Sequence, residues 1–116
     1  MSFRYAQDER KYKNGERNDL LDEPTIKAYQ HWSIKPNRYP HTRISSKNDL
    51  LVLNRKCASL QELTRFEASE LFKLLGELHD RYDVSLFNLE GMSSIKDVPH
   101  FHLYKLKAPY LNTKPV

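Results

Sequence analysis

The side chains able to do chemistry in this chain concentrate in Val98-Pro99-His100-Phe101-His102-Leu103-Tyr104-Lys105-Leu106. Pro99 starts an extended segment, and successive side chains of a strand point to opposite faces. His100, His102 and Tyr104 therefore share one face, while Phe101 and Leu103 enter the other. Sheet burial accounts for the apolar pair but not for two imidazoles and a phenol in a row. An imidazole titrates near pH 6.5 and can be a nucleophile, a proton carrier or a metal ligand. Two of them about 7 Å apart on one strand face can act on one bound ligand.

Blander readings compete with this one. An exposed edge strand tolerates His-x-His. A metal site would need His100 and His102 completed by Cys57, His31 or His41, but these are scattered and lack the ligand spacing of zinc sites. RNA binding would draw on Tyr5, Tyr12, Arg4, Arg10, Lys11 and Lys13, although charged tails are usually just solvated. The sequence thus carries no strong nucleic-acid signal and names no metal ligand.

The histidine strand needs neighbours to hold it. Ile26, Ala28, Gln30, Trp32 and Ile34 alternate with Lys27, Tyr29, His31 and Ser33, the period-two pattern of a strand. Pro36 and Pro40 end it and enclose Asn37, Arg38 and Tyr39 in a turn. Asp49 to Asn54 is an apolar run of strand length, joined to the first strand by the polar segment Thr42 to Asn48. Ser59 with Glu62, or Thr64 with Glu67, forms a helix capping box. Ala68, Leu71, Phe72, Leu75, Leu78, His79 and Tyr82 then recur as one buried helical stripe. Leu74 lies beside that stripe and Phe66 outside it. Val84 to Leu89 reads as a further strand, and Glu90-Gly91 opens a loop before Pro99. The predicted fold is α+β: an antiparallel sheet of about five strands with one major helix packed on it. Residues 1–24 form a charged arm, 25–110 the domain and 111–116 a tail. Docking and disorder of the arm are equally compatible with its sequence.

Composition narrows the classes. The 116 residues fit one domain, and 39% hydrophobic with 29% charged residues excludes collagen-like and wholly disordered chains. No apolar run approaches the roughly 20 residues of a membrane helix. The charged first residues lack the apolar core of a secretory signal, and the one cysteine, Cys57, cannot form an internal disulfide. A cytoplasmic, membrane-free protein is the expectation. A net charge of +4 favours anionic partners mildly and suits a phosphate-bearing small molecule.

Val-Pro-His-Phe-His-Leu-Tyr resembles the signature of the histidine-triad (HIT) superfamily, which alternates His and hydrophobic residues along one strand. Asn37-Arg38-Tyr39-Pro40 after Trp32 looks like that family's Asp/Asn-x-x-Pro turn at the nucleotide pocket. Leu50 to Ser59 followed by the capped helix matches its strand, basic tip and helix. Asn88 and the polar loop with Ser93, Ser94, Lys96 and Asp97 precede the histidine strand at nearly the usual distance. The likeness covers about Thr25 to Leu106. It departs at three places: Tyr104 replaces the third His, Cys57 stands where the basic tip usually carries His, and the loop is one residue longer than usual, with Asp97 where a small hydroxyl residue is usual.

The resemblance implies a metal-independent, cofactor-free nucleotidyl hydrolase or transferase acting on a nucleotide or nucleoside phosphate. In such enzymes the middle histidine, His102 here, attacks the α-phosphorus and forms a nucleotidyl-histidine, with His100 supporting the site. Tyr104 would donate a hydrogen bond but shuttle protons poorly at neutral pH. Asn88, Ser93, Ser94 and Lys96 would contact phosphate oxygens, Asn37 the ribose, and Trp32 would flank the base. Two-fold homodimers are common among relatives. The alternative is a catalytically weak or inactive module that binds a nucleotide or a protein. The enzyme reading requires the His102 ring to stand bare in a pocket shaped for a phosphoryl group.

Overall fold

The computed structural model describes residues 3–15, 19–89 and 97–108. Among them the strands are β1 (Lys27–Ala28), β2 (Trp32–Pro36), β3 (Ser45–Leu53), β4 (Val84–Leu86) and β5 (His100–Leu106). They form one antiparallel sheet in the order β1-β2-β3-β5-β4. The helices are α1 (Ala6–Asn14) and α2 (Arg65–Glu77), with 3-10 turns at Leu20–Asp22, Leu60–Glu62 and Leu78–Asp80. The fold is α+β, with α2 the major helix.

The stretch expected to be one strand from Ile26 to Ile34 is a hairpin. Lys27 pairs with Ile34 and Ala28 with Ser33, and the Tyr29 N–H donates to the Trp32 carbonyl across the turn at 2.7 Å. Glu70 decides the fold-back, because its Oε1 accepts the N–H groups of both His31 (2.8 Å) and Trp32 (3.1 Å). Alternation cannot reveal such a turn, since the side-chain pattern continues through it. β3 begins at Ser45, so more than half of the expected polar linker is strand. A register shift between Ser45 and Lys47 accommodates it against β5.

α2 starts at the second capping box. The Thr64 hydroxyl accepts the Glu67 N–H, and the Glu67 carboxylate accepts the Thr64 N–H at 2.8 Å. Ser59 heads only the 3-10 turn and makes no side-chain cap. The buried stripe is Glu67, Leu71, Leu74 and Leu78, continued by Tyr82. Phe72, expected inside, is 73% exposed, and His79 is exposed as well. The helix's rotation is set at its first turn. The Trp32 indole donates to the Glu67 carbonyl (2.9 Å), and Arg55 grips the Glu67 carboxylate with Nε (2.6 Å) and Nη2 (2.7 Å). With Glu67 turned inward, Leu74 faces the sheet and Phe66 and Phe72 face out.

Each face of the sheet carries a core. Trp32, Ile34, Leu51, Leu53 and Leu103 pack with Leu71, Leu74, Leu78 and Tyr82 on the α2 side. Leu50 and Val52 pack with Leu20 and Val98 on the other side. Leu20 comes from the segment read as arm. Lys35, buried on that same side, donates from Nζ to the Leu21 (3.0 Å) and Glu23 (2.8 Å) carbonyls and ties the Leu20–Asp22 turn to the sheet.

Candidate functional site

The histidine strand is not an edge. β5 lies between β3 and β4, which removes edge tolerance as the account of His-x-His. Its register sets Tyr104 opposite Asn48, His102 opposite Leu50 and His100 opposite Val52. On its other flank, Val84 pairs with Tyr104 and Leu86 with His102. Period two then places Asn48, Leu50, Val52, His100, His102 and Tyr104 on one face, away from α2.

That face is covered rather than bare. His102 is 6% exposed, and His100 and Tyr104 are also buried. His41, from the loop between β2 and β3, stacks on His102 with ring centroids 4.5 Å apart and planes 23° apart. The Phe3 ring meets His41 edge-on at 5.6 Å. The arm holds Phe3 there: its carbonyl accepts the Arg43 N–H (2.7 Å), Arg4 Nε donates to the Tyr39 carbonyl (2.8 Å), and Asp8 accepts from the Thr42 hydroxyl (2.6 Å). Arg4 also lies over the Tyr12 ring at 3.8 Å. The arm is docked across one end of the histidine face, where the sequence left docking and disorder equal.

Burial fixes the charge state. Desolvation, reinforced by the Arg4 cation, lowers His41 to about 4, while Glu9 pulls weakly the other way. Desolvation, then His41, His100 and Arg4, lowers His102 to about 3. His100 is lowered by desolvation, against the Val98 carbonyl. All three rings are neutral at pH 7. Burial also raises Tyr104, so its hydroxyl keeps its proton.

Hydrogen bonds then fix the tautomers. The Asn37 Oδ1 accepts the Tyr39 N–H at 3.0 Å, so its Nδ2 is the group that reaches Asn48 Oδ1 at 2.9 Å. The same Asn48 oxygen accepts the His41 N–H at 3.0 Å. Two donors on Oδ1 leave the Asn48 amide nitrogen facing His102 Nδ1 at 3.4 Å, where the ring can only accept. The His102 proton therefore sits on Nε2. His100 is the reverse: its Nδ1 lies 2.9 Å from the Val98 carbonyl, which can only accept, so Nδ1 carries the proton and Nε2 the lone pair. The Tyr104 hydroxyl and His41 Nδ1 share a hydrogen bond at 2.7 Å. Among the described residues no buried side-chain nitrogen or oxygen lacks a partner. The Nε2 atoms of His100 and His102 have no partner among those residues, so both reach solvent.

The expected site residues separate. His100, His102 and Tyr104 are together. Asn37 reaches the same cluster, but its amide is committed to Tyr39 and Asn48 rather than open to a ribose. Trp32 does not join them: it is 0% exposed on the α2 face, because its odd step along β2 puts it across the sheet. Asn88 is half-buried just past β4. Ser93, Ser94 and Lys96 lie outside the described residues. Asp97 adopts φ 63, and its carbonyl accepts the Cys57 N–H at 2.7 Å. That left-handed residue, tolerated by Asp, turns the chain so that the Val98 carbonyl meets His100. Arg55 does not offset Asp97, since it is bound to Glu67. Cys57 is buried, its Sγ 3.1 Å from the Ser59 carbonyl.

Sequence reasoning grouped His41 with His100 and His102 only as one alternative metal ligand, and missed Asn48 and Lys35 as members of this face. His41 follows Pro40 directly, which was the available signal. Asn48 and Lys35 carried none, because their facing depends on register. Among the described residues no three His, Cys, Asp or Glu side chains are grouped to hold a metal ion, and no helix is long and apolar enough to cross a membrane.

No protein-family model matches this chain, and no curated protein matches it.

Proposed function

We propose that the chain is a HIT-like nucleotidyl hydrolase or transferase that acts on a nucleoside phosphate through a covalent nucleotidyl-histidine on the His100–His102 face. One observation carries this: two neutral imidazoles and a protonated phenol lie in a row on an interior strand, with a third neutral imidazole, His41, stacked on them. A neutral ring with a free lone pair can attack phosphorus and split one hard displacement into two easier ones. The resemblance assigns the attack to His102. At 6% exposure, with His41 stacked on it, that ring is not bare in this structure. The reading therefore requires His41 and the arm to move off the ring before phosphorus can reach it.

The test is direct. The protein is incubated with a nucleoside phosphoramidate or a dinucleoside polyphosphate labelled at the α-phosphorus, and both product release and acid-labile label on the protein are measured. Turnover that survives chelator, with label on a histidine, supports the proposal. Absence of both sinks it.

A second reading keeps the fold without turnover, as a module that binds a nucleotide or a protein. Its support is the resting state of His102, buried with its proton on Nε2, beside Tyr104 in the third position. It predicts nucleoside monophosphate binding with no adduct and no product. A cytoplasmic setting fits the buried, unbridged Cys57. A two-fold dimer would draw on the exposed side of α2, where Phe66 is 63% and Phe72 73% exposed.

A further inference from the structure

We propose that the docked arm is a binding surface for single-stranded nucleic acid, with Arg10, Lys11, Lys13, Arg43 and Lys107 following the phosphates and a base stacked on Tyr5. The surface is the outer side of the arm, so it stands apart from the nucleotidyl chemistry, and neither reading needs the other.

A solvated tail would leave its charges mixed, but docking sorts them. At about 100° per residue, α1 turns Asp8, Glu9 and Tyr12 to one side and Arg10, Lys11 and Lys13 to the other. The inner side is taken up by the fold. Asp8 accepts the Thr42 hydroxyl at 2.6 Å, Glu9 meets Arg4 at 3.4 Å, and the Tyr12 ring meets Tyr39 edge-on at 5.8 Å. Arg10, Lys11 and Lys13 are exposed and pair with no carboxylate among the described residues. The helix therefore shows solvent three cations whose acidic neighbours are engaged elsewhere.

Two more cations extend the row past the helix. Arg43 is exposed beside Phe3, whose carbonyl accepts its N–H at 2.7 Å. Lys107, just after β5, donates to the Thr42 carbonyl and places Nζ over the Tyr5 ring, 5.0 Å from its centroid. Tyr5 is 48% exposed and Phe3 38%. Cations beside open aromatic rings are what a single strand requires, since the charges follow its backbone and any base can stack on a ring. In a duplex the bases are already stacked on one another, so Tyr5 adds nothing there.

A lipid surface fits this side poorly. A helix lying in a membrane buries an apolar face, whereas the outer face of α1 carries Gln7, Asn14 and the three cations, with Ala6 as its one apolar member.

The test measures fluorescence anisotropy of a labelled oligouridylate of about 15 nucleotides, and of a duplex of the same length, on titration with the full chain. Sedimentation with vesicles of phosphatidylcholine and phosphatidylserine runs alongside. The variants are the triple Arg10→Gln, Lys11→Gln, Lys13→Gln, which keeps helix propensity, Tyr5→Leu, and Lys73→Gln on α2 as the control. The single strand should bind more tightly than the duplex, its log affinity falling with log salt at a slope of about −3 between about 50 and 200 mM. The triple variant should bind about 10-fold more weakly or worse at the lower salt. Its slope should be shallower by about 2, because each single-strand phosphate contact contributes roughly 0.7. Tyr5→Leu should weaken single-strand binding about 5-fold or more at an unchanged slope, and Lys73→Gln should alter neither. Absence of salt-dependent binding, a preference for the duplex, an equal loss in Lys73→Gln, or vesicle binding in place of oligonucleotide binding overturns the proposal. None of these outcomes bears on whether a histidine takes up label, so the nucleotidyl reading stands or falls separately.

Discussion

His41 and His102 lie face to face, centroids 4.5 Å apart, so the protonation of either opposes that of the other. With His100 they form a group that the fold holds neutral. The folded values lie below the ordinary 6.5, at about 4 for His41 and about 3 for His102, with His100 also lowered. Above pH 6.5 both folded and unfolded rings are neutral and no stability depends on them. Below it the unfolded chain binds protons that the folded chain refuses, so stability falls as the pH drops toward the folded values. Each ring contributes a loss of about 1.4 kcal/mol per pH unit in that window. Denaturant midpoints measured from pH 7 to pH 4.5 should fall steeply, and His102→Gln should flatten the slope by close to one proton. An unchanged slope would show that the ring is not held neutral.

The orientation of Asn48 makes a spectroscopic prediction. In Asn48→Asp the atom facing His102 Nδ1 becomes an acceptor, so the ring proton should move from Nε2 to Nδ1. The variant should lose about 1–3 kcal/mol of stability, because the Asp49 and Leu103 carbonyls, now near the amide nitrogen at 3.1 and 3.4 Å, would face a carboxylate. Nitrogen-15 shifts of His102 in parent and variant give the answer.

Tyr104→Phe removes the hydroxyl that shares a hydrogen bond with His41 Nδ1. The buried ring nitrogen then lacks its partner, at a cost of about 1–3 kcal/mol. Chemical denaturation of the two proteins measures it, and equal midpoints would show that water replaces the phenol.

Glu67 joins helix start, indole and basic tip. Its carboxylate is lowered to about 2, first by Arg55 and then by the Thr64 groups, against its own desolvation. That stabilisation is complete above about pH 4.5 and is lost as pH falls through about 2. Arg55 is 43% exposed on its side chain, so solvent screens the pair, and Glu67→Gln should cost only about 1 kcal/mol at pH 7. The variant's stability should also vary less between pH 5 and pH 2 than the parent's.

Gly15 tests whether the arm's docking guards the histidine face. A Cβ there would collide with the Tyr39 ring and lie 2.7 Å from the Lys11 carbonyl. Gly15→Ala should loosen α1 and Phe3 from His41 while leaving the sheet intact. Faster acylation of His41 by diethyl pyrocarbonate, with unchanged protection of β3 and β5 amides, is the expected outcome. Identical acylation rates would show that the arm does not shield the ring.

Residue types and spacing were sufficient to place the α+β class, a capping box at Ser59–Glu62 or Thr64–Glu67, the strand nature of His100 to Leu106 and the common face of His100, His102 and Tyr104. These are local properties: a capping box spans three residues, and the pleat alternates whatever lies alongside. Long-range contacts decided the rest. Glu70 accepting the His31 and Trp32 amides made a hairpin of an apparently continuous strand, and Arg55 on Glu67 set which side of α2 is buried, turning Leu74 in and Phe72 out. Strand register brought Asn48 behind His102, and a loop brought His41 over it. Neither partner is near in sequence, so the tautomers and charge states of the histidine strand came only with the assembled sheet.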